Sequence, residues 1–330
     1  MEITSNLPTV QWYKNGTDND LLYWGLDYPP LSAYHMRALG MIAGWLNQSY
    51  VALNSSRGLE SYEHKVFMRS TVQSVDLLLF FSALTALWWV GGLSSRAVAA
   101  ALMYPALILV DHGHFQYNCV SLGLTVWAVV LLTLERRCLA TLAFTLAINY
   151  KQISLYHALP LFSFLLSTCW RQPSLGQRLW LLVKLSSVVV LTFVLCWLPF
   201  LSRWQDVEAV LKRLFPVDRG LFEDKVANVW CFLDVLLKLR RRYPPATLLR
   251  LSGVSTLLFV LPTCVHLFLS PSLRSLKYSL IQSSLAFFLF SFQVHEKGIL
   301  LAGVAVSLVL DSHPLLASWF FVVSTFRSVE

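Results

Sequence analysis

Five polar stretches carry the residues of this chain whose types could do chemistry. They are GLDYPPLSAYH (Gly25 to His35), DHGHFQYN (Asp111 to Asn118), NYKQISLYH (Asn149 to His157), FPVDRGLFEDKVANVW (Phe215 to Trp230) and QVHEKG (Gln293 to Gly298). Together they supply the carboxylates Asp27, Asp111, Asp218, Glu223, Asp224 and Glu296, the cations Lys151, Arg219 and Lys297, and the imidazoles His114 and His295. Carboxylates can accept protons, and cations and imidazolium can hold an anion, so a set of this kind suits proton movement or anion binding if the fold gathers it.

The rest of the chain is apolar. Of 330 residues, 56% are hydrophobic and 13% charged, and the mean hydropathy is +0.58. These values predict an all-α polytopic membrane protein. About 20 helical residues cross a hydrocarbon core roughly 30 Å thick. Apolar runs at Leu77 to Gly92, Ala97 to Val110, Asn118 to Leu134, Leu179 to Leu201, Leu251 to Ser270, Tyr278 to Val294 and Gly298 to Leu310 approach that length. Cys138 to Asn149 and Leu155 to Trp170 are shorter and suit tilted, broken or protein-buried helices, and Leu315 to Phe326 runs close to the last residue. The expected organisation is a loop with an interfacial helix over 1–74, a bundle over 75–201, a long loop with an amphipathic helix over 202–250, and further spans over 251–330.

Short-loop charges set the expected orientation. After Gly92 one side holds Arg96, Arg136, Arg137, Arg171, Arg178, Arg274 and Lys277, whereas the other, the long loop apart, holds Lys151 and Lys297. The richer side is expected to be cytosolic. All five polar stretches then fall on the opposite, lumenal face, and so do the sequons at Asn15, Asn47 and Asn54, the glycosylation candidates. Arg57, Lys65 and Arg69 just before the first apolar run oppose this, which leads us to expect a span ahead of Met1.

Each stretch also has an ordinary reading. DHGHFQYN could be a short connection with Phe115 and Tyr117 in an aromatic belt, and the spacing of His112 and His114 is not a helical metal-ligand pattern. QVHEKG could be a polar turn, NYKQ a snorkelling lysine, and the 215–230 stretch a surface helix resting on Leu214, Phe215, Leu221 and Phe222. The coincidence of all five on one face favours a shared site, because ionisable groups at membrane depth are costly. The six cysteines, Cys119, Cys138, Cys169, Cys196, Cys231 and Cys264, show no metal or redox spacing and read as packing residues.

The strings QWYKNGTDNDLLYWGLDYPPLSAYH, DHGHFQYN, AINYKQISLYHALP, VLCWLPF, RLFPVDRGLFEDKVANVWC and FSFQVHEKGILL closely resemble the dolichyl-phosphate-glucose-dependent α-1,3-glucosyltransferases of the endoplasmic reticulum, in order and along essentially the whole chain. FPVDRGLFEDKVANVW resembles the members that add the first glucose to the mannose-rich, dolichyl-diphosphate-linked oligosaccharide of protein N-glycosylation. The resemblance implies a multi-span GT-C helical bundle in the endoplasmic reticulum membrane with a lumenal active site. It also implies a further span and an acidic G-D-[FY]-E-A-Q-R-H-W motif ahead of the M-E-I-T that forms residues 1 to 4, and further helices beyond Glu330.

The implied reaction is a single-step inversion that turns a β-linked lipid-phosphate glucose into an α linkage. It asks for a carboxylate base on the acceptor hydroxyl and for positive charge beside the leaving phosphate. The family resemblance puts the preferred base in the acidic motif that precedes these residues, and leaves Asp27 and Asp111 as the catalytic candidates of this chain. Lys151, Arg219, His295, Lys297 and His114 are the donor-phosphate candidates, and Tyr28, Tyr117, Asp218, Glu223, Asp224 and Glu296 the substrate-lining ones. No cofactor or catalytic metal is expected, because no nucleotide diphosphate leaves. The expected partners are dolichyl-phosphate glucose, the dolichyl-diphosphate oligosaccharide and the bilayer. Three alternatives stay open: the sister enzyme that adds the second glucose, a catalytically dead form, and a transporter or flippase, which would tend to show the paired repeats absent here. The net charge of +8 serves topology and one loop, so nucleic acid is not an expected partner.

Overall fold

The structure is a computed structural model that describes residues 1–23, 25–215, 226, 228–292 and 294–328. Among these the regular elements are helical, and the one ladder contact is an isolated bridge between Gly16 and Asn19. Among the described residues two α-helices precede the first membrane-length one: α1 (Glu2–Asn6) and α2 (Pro30–Leu46). Pro29 lies in the extended region and Pro30 takes the first helical position, where a missing N–H costs nothing. The segment 1–74, where a helix is expected, therefore contains one over Pro30–Leu46.

Among the described residues four helices are long and apolar enough to cross a membrane: α3 (Tyr62–Trp89), α7 (Gln152–Trp170), α8 (Leu175–Phe200) and α11 (Pro245–Leu269). The first starts well before the apolar run that announces it. Ser61 caps its N-terminus by accepting from the His64 N–H at 3.2 Å, so the polar turns carrying Lys65, Arg69 and Asp76 are helical too. Between α3 and α7 lie α4 (Ser95–Leu102), α5 (Asn118–Thr133) and α6 (Arg137–Tyr150). After α8 come α9 (Trp204–Leu214), α10 (Val229–Leu237), then α11, α12 (Leu273–Phe290), α13 (Ile299–Ser307) and α14 (Pro314–Ser328).

The expected run from Ala97 to Val110 is not one smooth helix. It breaks after α4 at Met103 and Tyr104, restarts at Pro105, and ends in a π-helical turn over Ile108–Gly113. The short run before Trp170 is likewise irregular, since α7 opens with a 3-10 segment over Gln152–His157. Both irregular segments border the polar stretches, where a π or 3-10 turn re-aims side chains that a regular helix would spread around its surface.

Helix α5 is apolar nearly all round and mostly buried, as a central helix must be. It packs on α6 and α3, while α11, α12 and α13 form an adjoining layer that reaches the first through α7. Close approach is built in at Gly123 of α5, where a Cβ would lie 2.7 Å from the Leu79 carbonyl carbon and 2.8 Å from the Phe80 nitrogen. A smaller core of Ile3, Trp12, Tyr13, Ala33, Phe200, Val210 and Leu214 fastens the amino-terminal segment and α9 onto the end of α8. Gly25 to His35 is thereby laid across the same end of the bundle as Lys151.

Candidate active site

Asp111 occupies the π-helical turn just past its apolar run and is fully buried. One carboxylate oxygen accepts from the Asn118 side-chain amide at 2.6 Å and the other from the Cys119 backbone N–H at 2.6 Å. The second bond caps the first turn of α5, where unpaired N–H groups and the helix dipole favour an anion. Burial nevertheless pushes the Asp111 carboxyl up to about 6, against the pull of those bonds and of the Lys151 ammonium.

Lys151 is the residue on which the polar stretches converge. It follows the end of α6 in an extended conformation, and its ammonium donates to the Asn118 side-chain oxygen. Asn118 thus links the cation to the buried acid. The ammonium also lies 5.2 Å from the centre of the Tyr28 ring, within cation–π range. Burial lowers Lys151 to about 8, while the carboxylates of Asp111 and Asp27 oppose that shift and the Lys297 charge adds to it. Three further stretches therefore act electrostatically on this one amine.

The GLDYPP segment is held over Lys151 by its backbone. Tyr13 donates to the Tyr28 carbonyl at 2.7 Å, Gln152 to the Asp27 carbonyl at 3.1 Å, and Arg213 to the Leu26 and Gly25 carbonyls at 2.8 and 3.2 Å. With its main chain occupied in this way, the Asp27 side chain remains exposed. Burial, with the nearby Asp27 and Asp111 charges, pushes the Tyr28 hydroxyl up to about 12, so the ring stays neutral. Helix α2 docks behind it: Ser32 donates to the Tyr150 carbonyl at 2.6 Å, and the His35 ring shares a 2.8 Å hydrogen bond with the Tyr150 hydroxyl. Tyr117 packs edge-on against His35 at 4.9 Å and bonds Thr71 of α3 at 2.7 Å.

The HEK turn closes another side. His295 accepts from the Lys297 backbone N–H at 3.2 Å and so caps a 3-10 turn over Glu296–Gly298. Gly298 lets that turn approach the start of α7, since a Cβ there would lie 3.3 Å from Ile153. Lys297 is half-buried, and burial lowers its amine against the raising effect of Glu296 and Asp111.

The structure therefore brings together Asp27, Tyr28, Asp111, Lys151 and Lys297, with Glu296 beside Lys297 and Tyr117 in the wall. His114 and His295 are exposed at the edges, the imidazole of His295 being engaged with its own turn. Asp218, Arg219, Glu223 and Asp224 lie outside the described residues. Asn15, Asn47 and Asn54 are all exposed, and Asn54 adopts a positive φ of 63° while its N–H bonds Glu2. Among the described residues no three His, Cys, Asp or Glu side chains are placed to hold a metal ion together.

Two parts of the site are not picked out as site residues by the sequence reading. Asn118 closes a motif in plain view, and its position directly before an apolar run marks it as a helix-start residue able to bond backward. Asp76, buried in α3, bonds the His112 ring at 2.8 Å. It immediately precedes the apolar run that begins at Leu77, and for that reason falls outside the span expected there.

The chain matches the family model described as the ALG6, ALG8 glycosyltransferase family over residues 1–329. It is 51% identical over 332 residues to the "Dolichyl pyrophosphate Man9GlcNAc2 alpha-1,3-glucosyltransferase" of Gallus gallus, with 98% of this chain and 65% of the relative covered. The protein of the same description in Mus musculus is 49% identical, at 98% and 65% coverage. A "Probable dolichyl pyrophosphate Man9GlcNAc2 alpha-1,3-glucosyltransferase" of Arabidopsis thaliana is 45% identical, at 99% and 63%. The chain thus spans a little under two thirds of the length of these relatives.

Proposed function

This chain belongs to the ALG6, ALG8 glycosyltransferase family, and from that premise we propose that it transfers glucose from dolichyl-phosphate glucose to the Man9GlcNAc2 oligosaccharide carried on dolichyl diphosphate. The linkage formed is α-1,3, and the transfer serves protein N-glycosylation from the lumenal face of the endoplasmic reticulum membrane. The acceptor follows from the descriptions of the relatives, and the multi-pass membrane character from the four long apolar helices. The observation that carries the reading is the placement of Lys151, a half-buried ammonium bonded through Asn118 to Asp111 and roofed by Tyr28.

That arrangement suits a phosphate leaving group. The acceptor hydroxyl oxygen bonds to the anomeric carbon from the face opposite the lipid phosphate, the carbon–oxygen bond to phosphate breaks, and the electron pair leaves on the phosphate. In this reading Lys151 and Lys297 are the two cations that meet the charge developing on that oxygen. A water-poor setting makes such contacts stronger than at an open surface. Asp111 is fully buried and bonded through both carboxylate oxygens. It serves as the fixed counter-charge that holds Lys151 in place through Asn118. The proton of the acceptor hydroxyl goes to a carboxylate, and Asp27 is the exposed acid of this cluster able to take it.

Glucose transfer is tested in microsomes from a host deleted for the endogenous enzyme, with dolichyl-phosphate glucose as donor and the unglucosylated lipid-linked oligosaccharide as acceptor. The reading predicts one added hexose, and a donor-dependent product is its signature. Failure to transfer by this chain, with transfer by the longer Gallus gallus relative in the same membranes, would overturn the claim that the chain itself is an enzyme.

A further inference from the structure

The descriptions of the relatives name an acceptor with two ends to place, one of them charged. Its reacting hydroxyl belongs to the Man9GlcNAc2 saccharide, whereas its diphosphate lies at the lipid end, with the saccharide between them. A protein that holds both needs a second anion-binding surface at the same membrane face, away from Lys151. Lys238, Arg240, Arg241, Arg242 and Arg250 crowd five cations into thirteen residues that contain no acid, and Asp234 is the one acid close by in sequence.

The fold turns this run into a surface. The Trp230 indole donates to the Phe290 carbonyl at 2.8 Å, which pins α10 to the end of α12, five residues ahead of His295. Trp230, Leu239 and Leu248 form a small core beneath it. The other face of α10 is left open, with Phe232, Val235 and Leu236 at 64%, 79% and 63% exposure. Lys238 then adopts a left-handed conformation at φ 51° and turns the chain back on itself. Asp234 accepts from the Arg240 N–H at 2.9 Å and pairs with its guanidinium at 3.2 Å, which fixes the turn. Arg241 and Arg242 follow, both exposed, just before Pro245 opens α11. An apolar face beside an exposed arginine pair has the form of an interfacial anchor for a phosphate-bearing lipid.

Resting on the glucosyl-transfer reading, we propose that the Lys238–Arg242 turn, with α10 as its apolar floor, binds the diphosphate of the lipid-linked acceptor. Charge is the argument for the occupant. Five cations with a single acid nearby carry a local positive charge, and a diphosphate carries enough negative charge to match several of them at once. Two planar guanidinium groups also suit paired phosphate oxygens better than a lone ammonium does.

The test follows the thermal unfolding midpoint of the purified full chain in detergent with farnesyl diphosphate, farnesyl monophosphate or phosphatidylserine added. The proposal predicts that the diphosphate raises the midpoint at the lowest concentration. It further predicts that Arg241→Gln with Arg242→Gln leaves the unliganded midpoint in place while weakening the diphosphate effect about tenfold or more. The double Lys variant recovers part of that loss. An unchanged diphosphate response in the Gln variant, no response in the unmodified chain, or an equal response to phosphatidylserine would overturn the assignment. The readout is binding alone, so a chain that takes up diphosphate here and transfers no glucose would contradict the transfer reading and not this surface.

Discussion

The Asn118 side chain donates to the Asp111 carboxylate at 2.6 Å and accepts from the Lys151 ammonium with its other atom. One amide thus joins a buried acid to the amine proposed to meet the donor phosphate. Replacing it by alanine removes the side-chain bond to an acid in a dry site, which costs about 1–3 kcal/mol of stability. It also frees Lys151 to shift, and a displacement of about 1 Å at a reacting centre costs on the order of a hundredfold in rate. Asn118→Ala should therefore lower both the unfolding midpoint and the glucose transferred per molecule of folded protein. Full transfer by the folded variant would show that the relay does not position Lys151.

The two ionisable ends of this relay set a pH window. Asp111 titrates at about 6, so below that its carboxyl is neutral and Lys151 loses its counter-charge. Lys151 titrates at about 8, so above that the amine is neutral and cannot meet phosphate. Transfer should rise with pH through about 6 and fall through about 8. Asp111→Asn should remove the limb at about 6 and also move the alkaline limb to lower pH, because the lost carboxylate had been raising the amine. A pH–rate profile in sealed microsomes with equilibrated interior pH checks both shifts, and an alkaline limb that stays in place in the Asn variant would argue against the coupling.

The contact between α5 and the π-helical segment Leu77–Phe81 within α3 is a packing constraint with its own outcome. A Cβ at Gly123 would fall within 2.7 to 2.9 Å of three backbone atoms of Leu79 and Phe80, none of which can swing aside. Gly123→Ala should cost about 1–3 kcal/mol by overpacking. Gly253, inside α11, has nothing within 4 Å of its added Cβ, so Gly253→Ala should gain up to about 1 kcal/mol from helix propensity. Comparison of the two unfolding midpoints separates the effects, and equal midpoints would deny that α5 is closely seated.

Much of this was legible in the sequence, and the misses have physical causes. Apolar runs located the helices because burial in protein or lipid selects the same residues. Run counting failed at the start of α3, where Ser61 begins a helix whose first turns carry charge. It also failed between Met103 and Gly113, where hydropathy alone cannot distinguish an α turn from a π turn. The residues gathered around Lys151 were legible as members of polar stretches. Their wiring was not, since the bonds from Asn118 to Lys151 and from Asp76 to His112 join residues 33 and 36 positions apart. Spacing within a motif says nothing about such pairs.

Membrane sidedness is checked at the sequons. Asn15, Asn47 and Asn54 are exposed and belong to the segment laid over the Lys151 end of the bundle. If that end is lumenal, expression in microsomes should give a glycosidase-sensitive mobility shift, lost stepwise as each Asn is changed to Gln. A band that glycosidase leaves unshifted would count against the lumenal placement of the site.

Lys151 is the central claim, and its replacement is the most direct measurement. Glucose transfer from dolichyl-phosphate glucose is compared for the unmodified chain, Lys151→Ala and Lys151→Arg, each normalised to folded protein in microsomes that lack the endogenous enzyme. The account predicts that Lys151→Ala loses transfer by on the order of a hundredfold or more, and that Lys151→Arg, which keeps the charge, retains part of it. Transfer by Lys151→Ala at the rate of the unmodified chain would contradict the account.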